Sequence, residues 1–147
     1  MKVPLAGPDA AGHATETILS EVGIPLLRMF TMAEACTLRL VCREFVEAVR
    51  QQQWEDRETV IAGSVGAWRR SFPRTRCANV SELDSLVDAD FAHFEGLREL
   101  DMSGCRRITD AALAHLRGIH SLDVYGCSGI TDAALAHLRG IHTLNMG

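Results

Sequence analysis

Cysteine and histidine offer the most versatile chemistry in this chain, and both recur along it. Cysteines stand at positions 36, 42, 77, 105 and 127. Because their number is odd and no two form a C-x-x-C pair, we expect a reducing compartment and no disulfide framework. Histidines form two rows, at 93, 115 and 137 and at 120 and 142. No acidic or cysteine partner recurs beside them at ligand spacing, so we predict solvated histidines and no metal site.

The sequence carries no catalytic signature. It has no glycine-rich phosphate loop, no His-Glu-x-x-His motif and no cysteine–histidine pair at a meaningful offset. An enzyme needs a nucleophile, a base or a metal in a cleft. We therefore predict that the protein is not an enzyme and uses no cofactor.

Length and composition limit the remaining classes. The 147 residues suffice for one or two small domains, and a 47% hydrophobic, 23% charged composition is typical of a folded protein. We predict no membrane segment, because no apolar run approaches about 18 residues. The N-terminus lacks the apolar core of a secretory signal, which favours an intracellular protein, cytoplasmic or nuclear. A net charge of −4 makes nucleic acid an unlikely partner.

An internal repeat of 22 residues is the strongest signal in the chain. The block Ile108–His120 recurs without a change as Ile130–His142, and residues 97–118 share 15 of 22 positions with residues 119–140. Residues 72–96 have related apolar spacing and are interpreted as a degenerate first repeat, and residues 141–147 as a partial last one. The predicted repeat region is therefore 72–147.

Each repeat combines the periodicity of a strand with that of a helix. In the 97–118 repeat, Leu100 and Met102 alternate with polar residues as in a short strand, and Leu113 and Leu116 lie three apart as on one helix face. Thr109 or Asp110 can cap the helix, and Gly118 suits its C-terminal end. One such unit cannot bury its own apolar stripe. We therefore predict an α/β fold, a short solenoid with parallel strands on the concave face and short helices on the convex face.

The concave face is the predicted partner-binding surface, because its polar residues repeat in ladders. Asp101 and Asp123 are expected to be adjacent carboxylates that repel each other, so that a cationic partner relieves this cost. Tyr125 is the expected aromatic anchor. We predict that a protein target binds Glu99, Asp101, Ser103, Ser121, Asp123, Tyr125, Thr143 and Asn145.

The pattern L-x-x-L-x-L-x-x-C-x-x-I-T-D-x-x-L-x-x-L resembles leucine-rich repeats of the cysteine-containing subtype. The resemblance is strong over residues 97–147 and weaker over 72–96. Cys105 and Cys127 take the inward-turning position of that family, where a small apolar thiol packs well. The resemblance implies a binding module that presents its strands to a protein.

Residues 15–54 are predicted to form a small three-helix module after a flexible segment, 1–14. Pro25 can open one helix, and another is expected from Ala33 to Gln53, with Leu38, Val41, Phe45 and Val49 on one stripe. The run Leu38-Arg-Leu-Val-Cys-Arg-Glu-Phe45, followed by Trp54, resembles an F-box. That family binds a Skp-type linker, and the resemblance implies the substrate-recognition subunit of a cullin–RING ubiquitin ligase. Its docking residues here would be Leu26, Leu38, Leu40, Val41, Cys42 and Phe45.

The same helices have an alternative interpretation, as a cap on the apolar end of a plain leucine-rich-repeat scaffold without a ubiquitin role. Residues 55–71 are expected to form the junction, with Ser64 capping a helix and with Trp54 and Trp68 packing there. The sequence ends at Gly147 inside a predicted strand. We expect either further sequence or a partner to cover that edge.

Overall fold

A parallel sheet of four strands, with short helices before and between them, is the framework of this α/β protein. The structure is a computed structural model that describes residues 24–40 and 43–147. The predicted flexible segment 1–14 and a helix predicted after Thr15 or Thr17 lie outside these residues. In chain order the elements are α1 (Ile24–Leu27), α2 (Met32–Leu38), α3 (Arg43–Gln51), α4 (Val65–Ser71), β1 (Cys77–Asn79), a 3₁₀ helix (Asp88–Phe94), β2 (Glu99–Asp101), α5 (Asp110–Leu113), β3 (Ser121–Asp123), another 3₁₀ helix (Asp132–His137) and β4 (Thr143–Asn145).

The strands pair in the register that the repeat predicts. They lie in chain order, β1 to β4, and Leu100 pairs with Leu122, which pairs with Leu144. Leu100 and Leu122 are buried, and Leu144 is half-buried against the same core. The alternation within each strand therefore separates an apolar inner face from a polar outer face, as predicted.

The connections between strands are tighter than the predicted helix over Ala111 to Arg117. Thr109 caps α5 by accepting a hydrogen bond from the amide of Ala111. Thr109 was one of the two residues predicted to cap this helix. Beyond Leu113 the chain continues in i→i+3 turns, with the Leu116 amide donating to the Leu113 carbonyl. Such turns rise faster per residue than an α-helix, so few residues bring the chain back to the next strand. Gly118, at φ 81°, ends the connection.

Aspartate–threonine bridges join successive connections. The Asp88 carboxylate accepts hydrogen bonds from the amide and the hydroxyl of Thr109, at 2.8 and 2.6 Å. The Asp110 carboxylate accepts hydrogen bonds from the amide and the hydroxyl of Thr131, at 2.7 and 2.5 Å. These bonds lower the pKa of Asp110. Each threonine thus caps its own helix and binds the preceding connection. The sequence predicted the caps but not these bridges.

The continuous helix predicted from Ala33 to Gln53 is wrong, because α2 ends at Leu38 and α3 begins at Arg43. A capping box between Thr31 and Glu34 begins α2, and a tight turn at residues 39–40 ends it. The break lets each helix bury its own face, Met32 and Ala35 on α2 and Ala48 and Val49 on α3. The predicted single stripe is therefore divided, and its Val41 lies outside the described residues.

Aromatic residues pack between the helices that precede the sheet and the 3₁₀ helix Asp88–Phe94. Trp54 and Trp68 are buried at the junction as predicted, Trp54 against Phe72 and Trp68 against Phe94, with ring centroids 5.5 and 6.0 Å apart. Ser64 caps α4 as predicted, by accepting a hydrogen bond from the Ala67 amide. None of the helices within 24–40 and 43–147 combines the length and the apolar character needed to cross a lipid bilayer.

Candidate functional site

The outer face of the sheet presents its side chains in columns, because parallel pairing sets equivalent residues of successive strands side by side. Neighbouring strands in a sheet lie about 4.7–4.9 Å apart, so neighbours in a column are within reach of one ligand. The middle column is Cys77, Glu99, Ser121 and Thr143, and the carboxylate column is Asn79, Asp101, Asp123 and Asn145.

Glu99 of the middle column is already paired with a cation of its own chain. Its carboxylate accepts from the Arg57 guanidinium through two nitrogens, each at 2.6 Å. A hydrogen bond with the Cys77 sulfur, together with the charge of Glu99, raises the pKa of Arg57. Burial, followed by the Glu99 charge, raises the pKa of the Cys77 thiol. Glu99, one of the predicted partner-binding residues, is therefore already engaged within its own chain, and no local signal links it to Arg57, 42 residues away.

The carboxylates of Asp101 and Asp123 form hydrogen bonds within the chain. Asp101 Oδ1 accepts hydrogen bonds from the amide and the hydroxyl of Ser103, at 3.0 and 2.7 Å. Asp123 Oδ1 accepts from the Tyr125 amide at 2.9 Å, and its Oδ2 accepts from the Asn145 side chain at 2.9 Å. These donors stabilise the two adjacent carboxylates, so the expected repulsion is partly compensated within the chain. Asp101 Oδ2 has no hydrogen-bond partner in the part of the chain that the structure describes.

Tyr125 projects beyond the carboxylate column and is the most exposed aromatic residue among those described, at 59%. Tyr125 and Ser103 occupy equivalent positions, each two residues after its strand. The Gly104 amide donates to the Tyr125 carbonyl at 2.8 Å and so keeps the two segments side by side. An exposed tyrosine beside polar columns adds apolar contact area to a surface that is otherwise suited to hydrogen bonding. The eight face residues singled out from the sequence thus lie together on one surface.

The cysteines of the repeats serve the core. The Cys105 and Cys127 thiols donate to the Val80 and Met102 carbonyls, at 3.2 and 3.0 Å. Burial raises the pKa of Cys105 to about 11 and also raises that of Cys127. Both thiols are therefore protonated donors at neutral pH and poor nucleophiles.

The predicted docking residues of the helical segment differ in exposure. Leu40 is 86% exposed and Leu26 is 48% exposed, whereas Leu38 and Phe45 are half-buried. Val41 and Cys42 lie outside the described residues. Met29 and Phe30, two further exposed apolar side chains just after α1, were not among the predicted docking residues.

Comparison with known proteins identifies no family for this chain. Neither a protein-family model nor a curated protein matches its sequence. Within residues 24–40 and 43–147, no three His, Cys, Asp or Glu side chains are arranged to hold a metal ion. The arrangement of side chains on the outer sheet face and on the N-terminal helices is therefore the basis for a functional proposal.

Proposed function

We propose that this chain is a non-enzymatic adaptor of the leucine-rich-repeat type, which binds a protein target on the outer, concave face of its repeats. The observation that carries the proposal is the alignment of polar side chains in columns across four strands in register. Adjacent polar columns offer many weak contacts to an extended partner, and Tyr125 adds a candidate hot spot. A small solenoid of this kind would act by positioning other proteins.

The N-terminal helices would give the adaptor its second surface. We propose that residues 15–54 are an F-box-like module that docks to a Skp-type linker, so that the chain recruits targets to a cullin–RING ubiquitin ligase. The support is the exposure of Leu40, Leu26 and Met29, at 86%, 48% and 80%. Large exposed apolar side chains favour an interaction site, because a partner that buries them removes apolar surface from water.

Capture by a purified Skp-type linker tests the docking surface. We expect the full chain to bind the linker and the Leu40→Ala variant to lose most of this binding, because Leu40 has little internal packing to lose. The matched control is Leu135→Ala, which removes an exposed leucine, at 41%, from the 3₁₀ helix Asp132–His137. Unchanged binding by Leu40→Ala would contradict this docking surface. No binding by the unaltered chain would favour the plain scaffold with a helical cap.

Comparison of co-purifying proteins tests the face of the repeats. The double change Asp101→Asn with Asp123→Asn removes two charges but keeps acceptor oxygens for Ser103 and Tyr125. We expect proteins enriched by the unaltered chain to be depleted by this variant. An unchanged set of enriched proteins would overturn the assignment of the outer face as the binding surface.

A further inference from the structure

We propose that the sheet edge from which the strands start recognises an acidic segment of its protein partner along a basic column, formed by the residues that immediately precede the four strands. This column consists of Arg76, Arg98, His120 and His142. The inference rests on the proposed function as a protein-binding face, and it names the chemistry of the partner.

Backbone hydrogen bonds set the basic column side by side. The Arg98 amide donates to the Arg76 carbonyl at 2.7 Å, the His120 amide to the Arg98 carbonyl at 2.8 Å, and the His142 amide to the His120 carbonyl at 2.9 Å. The His120 and His142 rings confirm that side chains follow this alignment, with centroids 4.2 Å apart. Two arginines and two histidines therefore lie in one row.

No carboxylate of the described residues forms an ion pair with this row. Arg76 and Arg98 are exposed, and the carboxylates nearest to them are engaged or unpaired with them: Glu99 is bound by Arg57, Glu55 accepts from the Gln53 side chain, and Glu95 lies three residues before Arg98. Like charges on neighbouring strands are destabilising. An anionic partner would relieve this repulsion as well as add contacts.

The basic column is separated from the carboxylate column along the strands. Asp101 and Asp123 lie three residues after Arg98 and His120, about 10 Å away at the usual rise per residue.

The opposite polarity of the two columns favours a protein segment over a nucleic acid. A peptide can place carboxylates against the basic column and neutral or basic side chains against Asp101 and Asp123. A nucleic acid carries phosphate along its whole length, so the carboxylate column and the net charge of −4 would repel it. The occupant that fits is an acidic segment laid across the strands, with its carboxylates toward the strand beginnings.

Fluorescence anisotropy of the full chain with labelled ten-residue probes tests this proposal. We expect a polyglutamate probe to bind and a polylysine or Gly-Ser probe to bind more weakly. The double variant Arg76→Gln with Arg98→Gln should lose about fivefold in affinity. The matched control is Arg106→Gln with Arg107→Gln, which removes the same charge from exposed positions after Cys105 and should retain binding.

The outcomes separate this proposal from its alternatives. Equal losses in the two arginine variants would mean that only net charge attracts the probe, and the basic column would be refuted. Stronger binding of a ten-nucleotide RNA than of polyglutamate would also overturn it. Linker capture and target depletion do not involve these residues, so failure of the proposed function is distinguishable from failure of this inference.

Discussion

Removal of one aspartate–threonine bridge between connections is predicted to destabilise the fold measurably. The change is Asp88→Ala, which deletes the acceptor of the Thr109 amide and hydroxyl hydrogen bonds. A hydrogen bond to a charged group contributes about 1.5–3 kcal/mol. Because Asp88 is only half-buried and water can replace it, we take about half of that for each bond and expect a loss of about 2 kcal/mol. The melting temperature should fall by about 6 °C.

Asp132 provides a matched control for this change. Asp132 is the first residue of the 3₁₀ helix Asp132–His137, and Asp88 is the first residue of the 3₁₀ helix Asp88–Phe94. Unlike Asp88, Asp132 forms no bridge to a threonine among the described residues. Both aspartates place a negative charge at a helix N-terminus, so Asp132→Ala loses the same favourable interaction with the helix dipole. The difference between the two variants isolates the bridge. We expect Asp132→Ala to change the free energy of unfolding by less than about 0.5 kcal/mol.

Urea unfolding followed by circular dichroism measures both variants. A double-mutant cycle of Asp88→Ala with Thr109→Val should show a coupling of about 1 kcal/mol, because the two groups share one hydrogen bond. Equal destabilisation by Asp88→Ala and Asp132→Ala would refute the reasoning, since only the helix charge would then matter. A coupling of zero would show that the hydroxyl bond contributes nothing to stability.

Two further predictions concern the core and the N-terminal junction. Urea unfolding should show that Leu122→Ala lowers the free energy of unfolding by about 3 kcal/mol and Leu144→Ala by about 1 kcal/mol. The difference is expected because Leu122 is buried between two neighbouring strands, whereas Leu144 is half-buried against one. Equal losses would contradict this packing. Burial alone would raise the pKa of Asp56, but hydrogen bonds from Thr59, Met32 and Glu58 lower it overall. The stabilising effect of the ionised Asp56 is therefore present above about pH 4 and is lost as the pH falls through the lowered pKa. The Asp56→Asn variant should lose less stability than the unaltered protein as the pH falls below about 4. An equal loss of stability in the two proteins would contradict this role of Asp56.

Local pattern predicted the features of the repeats that depend on spacing alone. Successive units of 22 residues bring equivalent positions to equivalent places, so the alignment of Leu100, Leu122 and Leu144 follows from the repeat itself. The Thr109 cap follows from residue type, because a hydroxyl before a helical run accepts from its first amides. The outward polar ladders follow from the alternation of a strand.

The contacts between distant parts of the chain were decided only by the tertiary structure. Arg57 meets Glu99 across 42 residues, and Asp88 meets Thr109 across 21, although nothing in either local sequence marks the partner. The helix predicted over residues 33–53 divides at residues 39–40 because burying two faces against the core outweighs the tendency of that segment to continue as a helix. The sequence by itself determined which side of each strand is polar, because that depends on neighbours along the chain. The structure decided which of those polar groups remain free to bind a partner, because that depends on which charges meet in space.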